Sequence, residues 1–420
     1  MNSDARTTAA TTIDGDRLWR ELDELAQLSE VPAPAVTRIV FSDADRRARE
    51  YVKALCQEAL LDIREDAVGN TFARWVGTDV TLPPVASGSH IDAIPNAGRF
   101  DGTVGVLGAI EAVRALRQSG FRPRKSIDVI IFTSEEPTRF GVGCLGSRLM
   151  SAGLDAGAAD GLKDRDGRTL ADVRAGAGFT GALSSVVLGA DAYAAFVELH
   201  IEQGPILEAR GLDIGVVTAI AAPASLRVRI EGEGGHAGAV LMPERRDAFL
   251  AGAEVALAVE AAARGTGSID TVGTVGVCDV FPGAINSVPS RTTLGVDVRD
   301  IDGRRRDIVL AAIRQACGEI AAKRRVSIVI ETINADAPCQ CAPALIEAIT
   351  AAATARGLGS ASLISRAYHD SLFMSRVAPT GMIFIPCRGG VSHRPDEYAS
   401  PEAIARGVAV LADTLAALAA

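Results

Sequence analysis

Apolar residues recur at helical spacing from Asp16 to about Leu28 (Leu18, Leu22, Leu25, Leu28), which predicts an amphipathic helix. A second helix is expected over Asp45 to Leu60. From Pro84 the text changes. PPVASGSHID reads as a short buried strand running into a polar loop. DGTVGVLGAIEAVRALRQSG reads as a helix that opens with small residues and stops at Gly120. SIDVIIFTSEE is a further apolar strand ending in charge, and YAAFVELHIEQGP repeats that form. Strand, loop, helix, strand is the order of a parallel sheet, whose ligands sit beyond the carboxyl ends of its strands. The charged clusters fall at those ends.

After Gly215 the pattern shifts to alternation. LRVRIEGEGG and TLGVDVRDID alternate apolar and polar positions, as half-exposed strands do. Helices fit at Arg246–Arg264 and Arg304–Arg324, and VSIVIETIN closes the stretch as a strand. Residues 332–420 return to helix and strand with ALIEAITAAATARG, GMIFIPC and a final Ala/Leu helix. The expected fold class is α/β: a larger domain (1–215 and 332–420) with a mainly parallel sheet flanked by helices, plus a smaller inserted α+β domain at 216–331.

Composition narrows the setting. Of 420 residues 48% are apolar and 23% charged, so wholesale disorder is excluded. The 43 basic against 52 acidic residues leave a net charge of −9, which argues against nucleic acid as a partner. No apolar run approaches the about 18–20 residues of a membrane span, and the polar N-terminal stretch shows no signal core. Seven scattered cysteines contain no CxxC pair, and Cys339-x-Cys341 is too tight for a zinc knuckle. A reduced, cytoplasmic location is expected.

The five histidines carry the chemical signal. His90, His200, His236, His369 and His393 all stand within two residues of Gly, Ser or an acid at strand ends. Any one alone reads as a surface or structural residue. His90-x-Asp92 fits a metal ligand whose second ring nitrogen is held by a carboxylate, or a plain Asx turn. Asp101 stands where it would cap the following helix, and a capping carboxylate still has lone pairs for a cation. Glu135 and Glu136 repel each other unless a cation or proton relieves them, and Pro137 extends Glu136. One acid can then ligate while its neighbour faces a water. His, Asp, Glu, His and His make five ligands, enough for two metals if one carboxylate bridges. Zinc, manganese, cobalt and nickel all suit such a set. Gly141-Val-Gly143-Cys-Leu-Gly146 spells a dinucleotide word, but it does not open directly from a strand. No GxSxG, P-loop or HExxH word occurs.

GSHIDAIPNAGRFDG, FTSEEPTRFGVGCLGSR, ELHIEQGPILE, GGHAGAVLMPERRDA, PGAINSVPS, DVRDID, SRAYHDS and GMIFIPCRGGVSHRPDEYAS together resemble the hydantoinase/carbamoylase amidase family of di-metal, aminoacylase-like hydrolases. The resemblance runs from about residue 16 onward. His200, where the peptidase members of the superfamily usually have an acid, points to the amidase branch. That branch includes hydrolases of N-carbamoyl-L-amino acids, allantoate and ureidoglycolate. The words around Glu135–Phe140, Ser365–Asp370 and Ile220–Ser225 are most similar to the ureidoglycolate amidohydrolases.

The resemblance implies that His90, Asp101 and His200 hold one metal and Asp101, Glu136 and His393 the other, with manganese the implied ion. Glu135 would be the general base and Asp92 would orient His90. His236, Asn286 and Arg299 would reach the substrate from the inserted domain, which would serve as lid and dimerisation domain. His236 and Asn286 would cross to the partner of a homodimer. Gln203, Tyr368 and His369 would line the pocket. The implied reaction cuts the ureido C–N bond of a small ureido acid bearing a carboxylate, in purine catabolism. A non-catalytic small-molecule binder on the same scaffold is the reading of another class, and a nucleotide-binding oxidoreductase rests on the glycine word alone.

Overall fold

Four of the apolar runs lie side by side and parallel, in the order Thr380–Ile385, Ala195–Ile201, Val85–His90, Ile127–Phe132. All four are buried throughout, which is why their sequences read as continuous rather than alternating apolar text. The sheet as a whole is mixed rather than mainly parallel. Ile214–Ile220 adds antiparallel beside Thr380–Ile385, and a hairpin, Asp62–Glu65 with Thr71–Trp75, adds antiparallel beside Ile127–Phe132. Parallel neighbours need a long crossover, and the short hairpin connection can only reverse the chain. The computed structural model describes residues 11–420. Residues 1–10, where the polar N-terminal stretch begins, lie outside the described part.

Successive side chains of these strands feed two cores. Ile127, Val129 and Ile131 join Val197, Leu199, Val104, Leu107 and Leu411 on one face. Ile130 and Phe132 join Phe196, Leu145, Leu149 and Met374 on the other. The first face is covered by Gly15–Gln27, Asp43–Glu58, Thr103–Gln118, Pro343–Ala355 and Pro401–Ala419. Gly15–Gln27 follows the expected spacing, with Leu18, Leu22 and Leu25 buried and Asp14 accepting the Arg17 N–H. The next helix starts at Asp43, earlier than the expected Asp45, because Ser42 accepts the Asp45 N–H as its cap. It stops before Leu60, which is exposed at φ 57°.

The described residues form two compact units: those up to Thr218 with Cys341–Leu363 and His369–Ala420, and Ala219–Gln340 with Ile364–Tyr368. The first boundary falls after 216 because Gly215, Val216 and Val217 still pair with Thr380–Ile385. The second falls after 331 because Ser327–Ala335 pairs along Ala222–Glu231 as far as Ala335. The smaller unit is a β-α-β-β-α-β arrangement. Its antiparallel sheet runs Val272–Phe281, Arg291–Asp300, Ala222–Glu231, Ser327–Ala335. Helices Ala248–Gly265 and Gly303–Arg324 cover one face through Val255, Val259, Val309 and Ile313 against Val228, Leu294 and Val296. Among the described residues no helix is long and apolar enough to cross a membrane.

Candidate metal centre

The parallel strands end at one edge of the larger sheet, and each delivers a polar side chain there. His90 is the last residue of its strand and pairs in register with Phe132, three residues before Glu135. His200 pairs with Phe384, and the loop after Ile385 leads to His393. Asp101 precedes Thr103–Gln118, the helix that follows the His90 strand.

Both buried imidazoles are held by main-chain carbonyls one or two residues further along the chain. His90 Nδ1 lies 3.0 Å from the Asp92 carbonyl oxygen and His200 Nδ1 2.9 Å from that of Ile201. Burial would lower both rings, but Glu135 and Asp101 raise His90 and Asp101 raises His200 above the ordinary range; once neutral with its proton on Nδ1, each ring offers an Nε2 lone pair. The Gly102 N–H points at His200 Nε2 from 3.2 Å, as it would at an acceptor. Gly102 stands at φ 67°, and a Cβ there would strike the His90 ring.

Asp101 is the hub. Its Oδ1 lies 3.5 Å from His90 Nε2 and 3.2 Å from His200 Nε2, and its Oδ2 lies 3.3 Å from His393 Nε2. His393, at φ 59°, also approaches Glu136 Oε1 at 3.2 Å. Two groups therefore have ligand atoms mutually within 4.8 Å: His90, Asp101, His200 and Asp101, Glu136, His393. The expected capping role of Asp101 fails. Gly102 is the N-cap and makes no side-chain cap, because the Asp101 oxygens face the histidines, Gln203 Nε2 (2.7 Å) and Ser392 Oγ (2.7 Å) instead. A third group, Glu198, His200 and His369, is also close. Both oxygens of Glu198 are taken there, by Ser89 Oγ at 2.7 Å and by the Ser371 N–H and Oγ. It is a scaffold that ties the His90 and His200 strands to Asp370–Met374.

Asp92 does something other than expected. Its carbonyl, not its carboxylate, holds His90. The carboxylate sits 3.7 Å from that ring and accepts the N–H of Glu135 on Oδ1 and of Glu136 on Oδ2, each at 3.1 Å. Asp92 thus fixes the histidine with one group and the acid pair with another. Glu135 is buried, with Oε2 3.8 Å from His90 Nε2 and Oε1 3.3 Å from the Cys144 thiol. The glycine word shapes this turn: the Cys144 N–H donates to the Glu135 carbonyl at 2.7 Å.

The electrostatics favour a cation. Burial pushes the Glu135 carboxyl well above its usual range, with Glu136, Asp370 and Asp101 adding and His90 opposing. Burial likewise lifts Asp92 to about 6 against the pull of His90. Burial would also raise Asp101, but His200, His393 and His90 outweigh it and hold that carboxyl well below its usual range. Hydrogen bonding to Asp101 and Glu136 lifts His393 to about 11. Imidazole lone pairs converging with buried carboxylates that demand positive charge fit a divalent metal site by donor chemistry.

The remaining sequence candidates fall into two pairs and two near neighbours. His236 and Asn286 lie together and exposed, with the Ala237 N–H donating to the Asn286 carbonyl at 2.8 Å. His236 Nδ1 accepts the Gly238 N–H, so the neutral ring carries its proton on Nε2. Arg299 packs 5.9 Å from the Tyr368 ring and is held at Nε by Asp297 at 2.7 Å. His369 is buried with its ring 4.5 Å from that of His200, and Gln203 Nε2 donates to Asp101. Sequence reasoning missed Glu198, Ser392, Glu397 and Cys144. Glu397 accepts the N–H groups of Phe100 and Asp101 at 2.8 and 3.1 Å, and burial beside Asp101 lifts its carboxyl to about 7. An acid four residues after His393 was the available signal.

Comparison with known proteins gives the chain's relatives. The model of peptidase family M20/M25/M40 matches residues 86–417. Ureidoglycolate hydrolase of Arabidopsis thaliana is 54% identical over 419 residues, 98% of this chain and 88% of that protein. N-carbamoyl-L-amino acid amidohydrolase of Geobacillus stearothermophilus is 38% identical over 404 residues, 96% of this chain and 98% of that one. Crystal structures of AtUAH with glyoxylate and with (S)-hydroxyglycine each superpose with a TM-score of 0.90 at 52% identity, covering 98% of this chain and 99% of theirs.

Proposed function

The chain belongs to the peptidase M20/M25/M40 family, and within it we propose that the protein is a metal-dependent amidohydrolase that cleaves the ureido C–N bond of ureidoglycolate to glyoxylate, ammonia and carbon dioxide. The observation that carries this reading is the 54% identity to a ureidoglycolate hydrolase along nearly the whole chain, against 38% to an N-carbamoyl-amino-acid hydrolase. A binding protein without catalysis would have no use for Glu135, a buried acid that belongs to neither ligand group of the shared Asp101.

His90, Asp101 and His200 would hold one divalent cation and Asp101, Glu136 and His393 a second, manganese by family resemblance. Bound there, the pair supplies Lewis acidity, polarising the ureido carbonyl and easing loss of a proton from the attacking water. Glu135 takes that proton and delivers it to the leaving nitrogen, a role its place beside Glu136 and outside both ligand groups allows. His236 Nε2–H donates to the developing oxyanion. Arg299 binds the substrate carboxylate in a fork that Lys could not reproduce, with Asp297 holding it in place. Asn286, Gln203, Tyr368 and His369 complete the pocket. Water adds to the ureido carbon, the bond to the protonated nitrogen of hydroxyglycine breaks, and the carbamate formed falls to ammonia and carbon dioxide. The hydroxyglycine left behind loses a second ammonia to become glyoxylate.

The smaller unit serves as lid and pairs two copies into a homodimer in which His236 and Asn286 act on the partner's substrate. Support comes from the large apolar side chains beside them: Ile285 is fully exposed, and Leu241 and Met242 are two-thirds exposed. Cys56, Cys144, Cys317 and Cys387 are buried free thiols, in keeping with a reduced, cytoplasmic setting. The test is a substrate panel with the manganese-loaded protein. Ureidoglycolate should give the highest kcat/KM, with two ammonia released per glyoxylate. A higher kcat/KM on allantoate or on N-carbamoyl amino acids would overturn the assignment.

A further inference from the structure

The carboxylate shared by both candidate ligand groups must present each oxygen to a different set of histidines and keep that orientation. Its own backbone and Oδ2 are where the structure grips it. Glu397 Oε1 accepts the N–H of Phe100 at 2.8 Å and of Asp101 at 3.1 Å. Glu397 Oε2 lies 2.8 Å from Ser392 Oγ, and the same hydroxyl lies 2.7 Å from Asp101 Oδ2. Gln203 Nε2 braces the cluster, 2.7 Å from Asp101 Oδ2 and 3.2 Å from Ser392 Oγ. Glu397 is buried, and a methyl group at Gly98 would overlap its side chain, so the loop leading into Asp101 lies directly on it. Neither oxygen of Glu397 enters a ligand group.

We propose that Glu397, acting through Ser392 and the main-chain N–H of Asp101, is a positioning residue that sets the bridging carboxylate and thereby the affinity of both metal positions. Glu397 and His393 share the loop after Thr380–Ile385, while Asp101 follows the strand that ends at His90. The clamp therefore locks the loop of one metal group to the loop of the other. Ser392 has one proton to give. A Gln at 397 keeps an acceptor for the two N–H groups, donates its own amide proton to Ser392 Oγ, and frees the hydroxyl proton for Asp101. Alanine at 397 removes all three bonds.

This inference rests on the metal reading above, and the experiment separates the two. Metal-stripped full-length wild type, Glu397→Gln, Glu397→Ala and Ser392→Ala are titrated with Mn²⁺ by calorimetry, and their melting is followed without metal. Wild type that takes up no Mn²⁺ removes the metal reading and this one with it. With wild type binding, Glu397→Ala and Ser392→Ala should bind about 10–100-fold more weakly, the usual effect of losing a group that orients a ligand. Glu397→Gln should stay within about fivefold, since its hydrogen-bond pattern is kept. Folded Glu397→Ala with wild-type affinity and only a lowered melting temperature would show a merely structural role and overturn the proposal. Glu397→Gln as weak as Glu397→Ala would overturn the hydrogen-bonding account. If Glu397→Ala does not fold, Ser392→Ala, which loses one hydroxyl, decides.

Discussion

Asp92→Asn separates the two parts that Asp92 plays. The carbonyl that holds His90 Nδ1 is untouched by the change, so the group of His90, Asp101 and His200 should keep its geometry. The carboxylate accepts two N–H groups at 3.1 Å, from Glu135 and Glu136. Asn keeps one acceptor oxygen and sets an NH₂ against the second N–H. A hydrogen bond to a charged acceptor contributes about 1.5–3 kcal/mol, and an orphaned buried donor costs about 1–3 kcal/mol. The local loss is then about 2.5–6 kcal/mol. Global stability should move less, because ionised Asp92 is itself costly at neutral pH. Its folded pKa of about 6 lies above the unfolded value, so the folded state loses stability as pH rises through that interval, and a neutral Asn escapes this cost. The loss should therefore appear as displacement of the acid pair. Half of it expressed at Glu136 weakens the Asp101, Glu136, His393 position by about 8–140-fold, at about 1.4 kcal/mol per tenfold. The assay is a two-site Mn²⁺ titration of the stripped protein beside kcat at saturating metal. One tight site should persist, the other should weaken, and kcat should fall because Glu135 moves with its neighbour. Loss of the first site with the second intact would mean that the carboxylate serves His90 after all, and two unchanged sites with unchanged kcat would refute the backbone role.

Glu135→Gln should retain both metal positions yet lose about 10²–10⁴-fold in kcat, since the ligand set is intact and only the proton carrier is gone; normal turnover would move the base elsewhere. Cation uptake should expel protons: His393, lifted to about 11 by Asp101 and Glu136, is protonated at pH 7 and must be neutral to ligate. Metal affinity should thus rise with pH below that value, and calorimetry in buffers of different ionisation enthalpy should read about one proton released per ion at that position; no release would contradict the ligand role of His393. Heterodimers of His236→Ala with Glu135→Gln, each inactive alone, should regain up to about half of wild-type activity if His236 acts in the partner's site, because one of two sites is then intact. A folded, metal-loaded heterodimer without activity would place His236 in its own subunit's site.

What the sequence announced and what it hid divide along a physical line. Ala195–Ile201 and Ile127–Phe132 were legible because burial on both faces makes strands uniformly apolar. The hairpin Asp62–Trp75 and the edge strand Val272–Phe281 were not read: their half-exposed or glycine-bearing text carries no clean period. Leu145–Met150, Ala156–Asp160 and Leu170–Gly176 are too short for helical periodicity to show. The same division runs through the site. His90, Asp101, Glu136, His200 and His393 were visible because ligation demands particular side-chain types, and strand ends gather them into short words. The groups that hold these side chains act largely through the main chain, which every residue possesses. The Asp92 carboxylate grips two N–H groups more than forty residues away, and Glu397 grips two almost three hundred away. Such partners leave no local word. Asp92 shows the same thing: side-chain chemistry suggested that its carboxylate holds His90, two residues away, whereas its carbonyl holds that ring and the backbone of Glu135 and Glu136 claims the carboxylate. A substitution that preserves every ligand can therefore still shift the centre, through buried acids that grip the main chain beside the ligands.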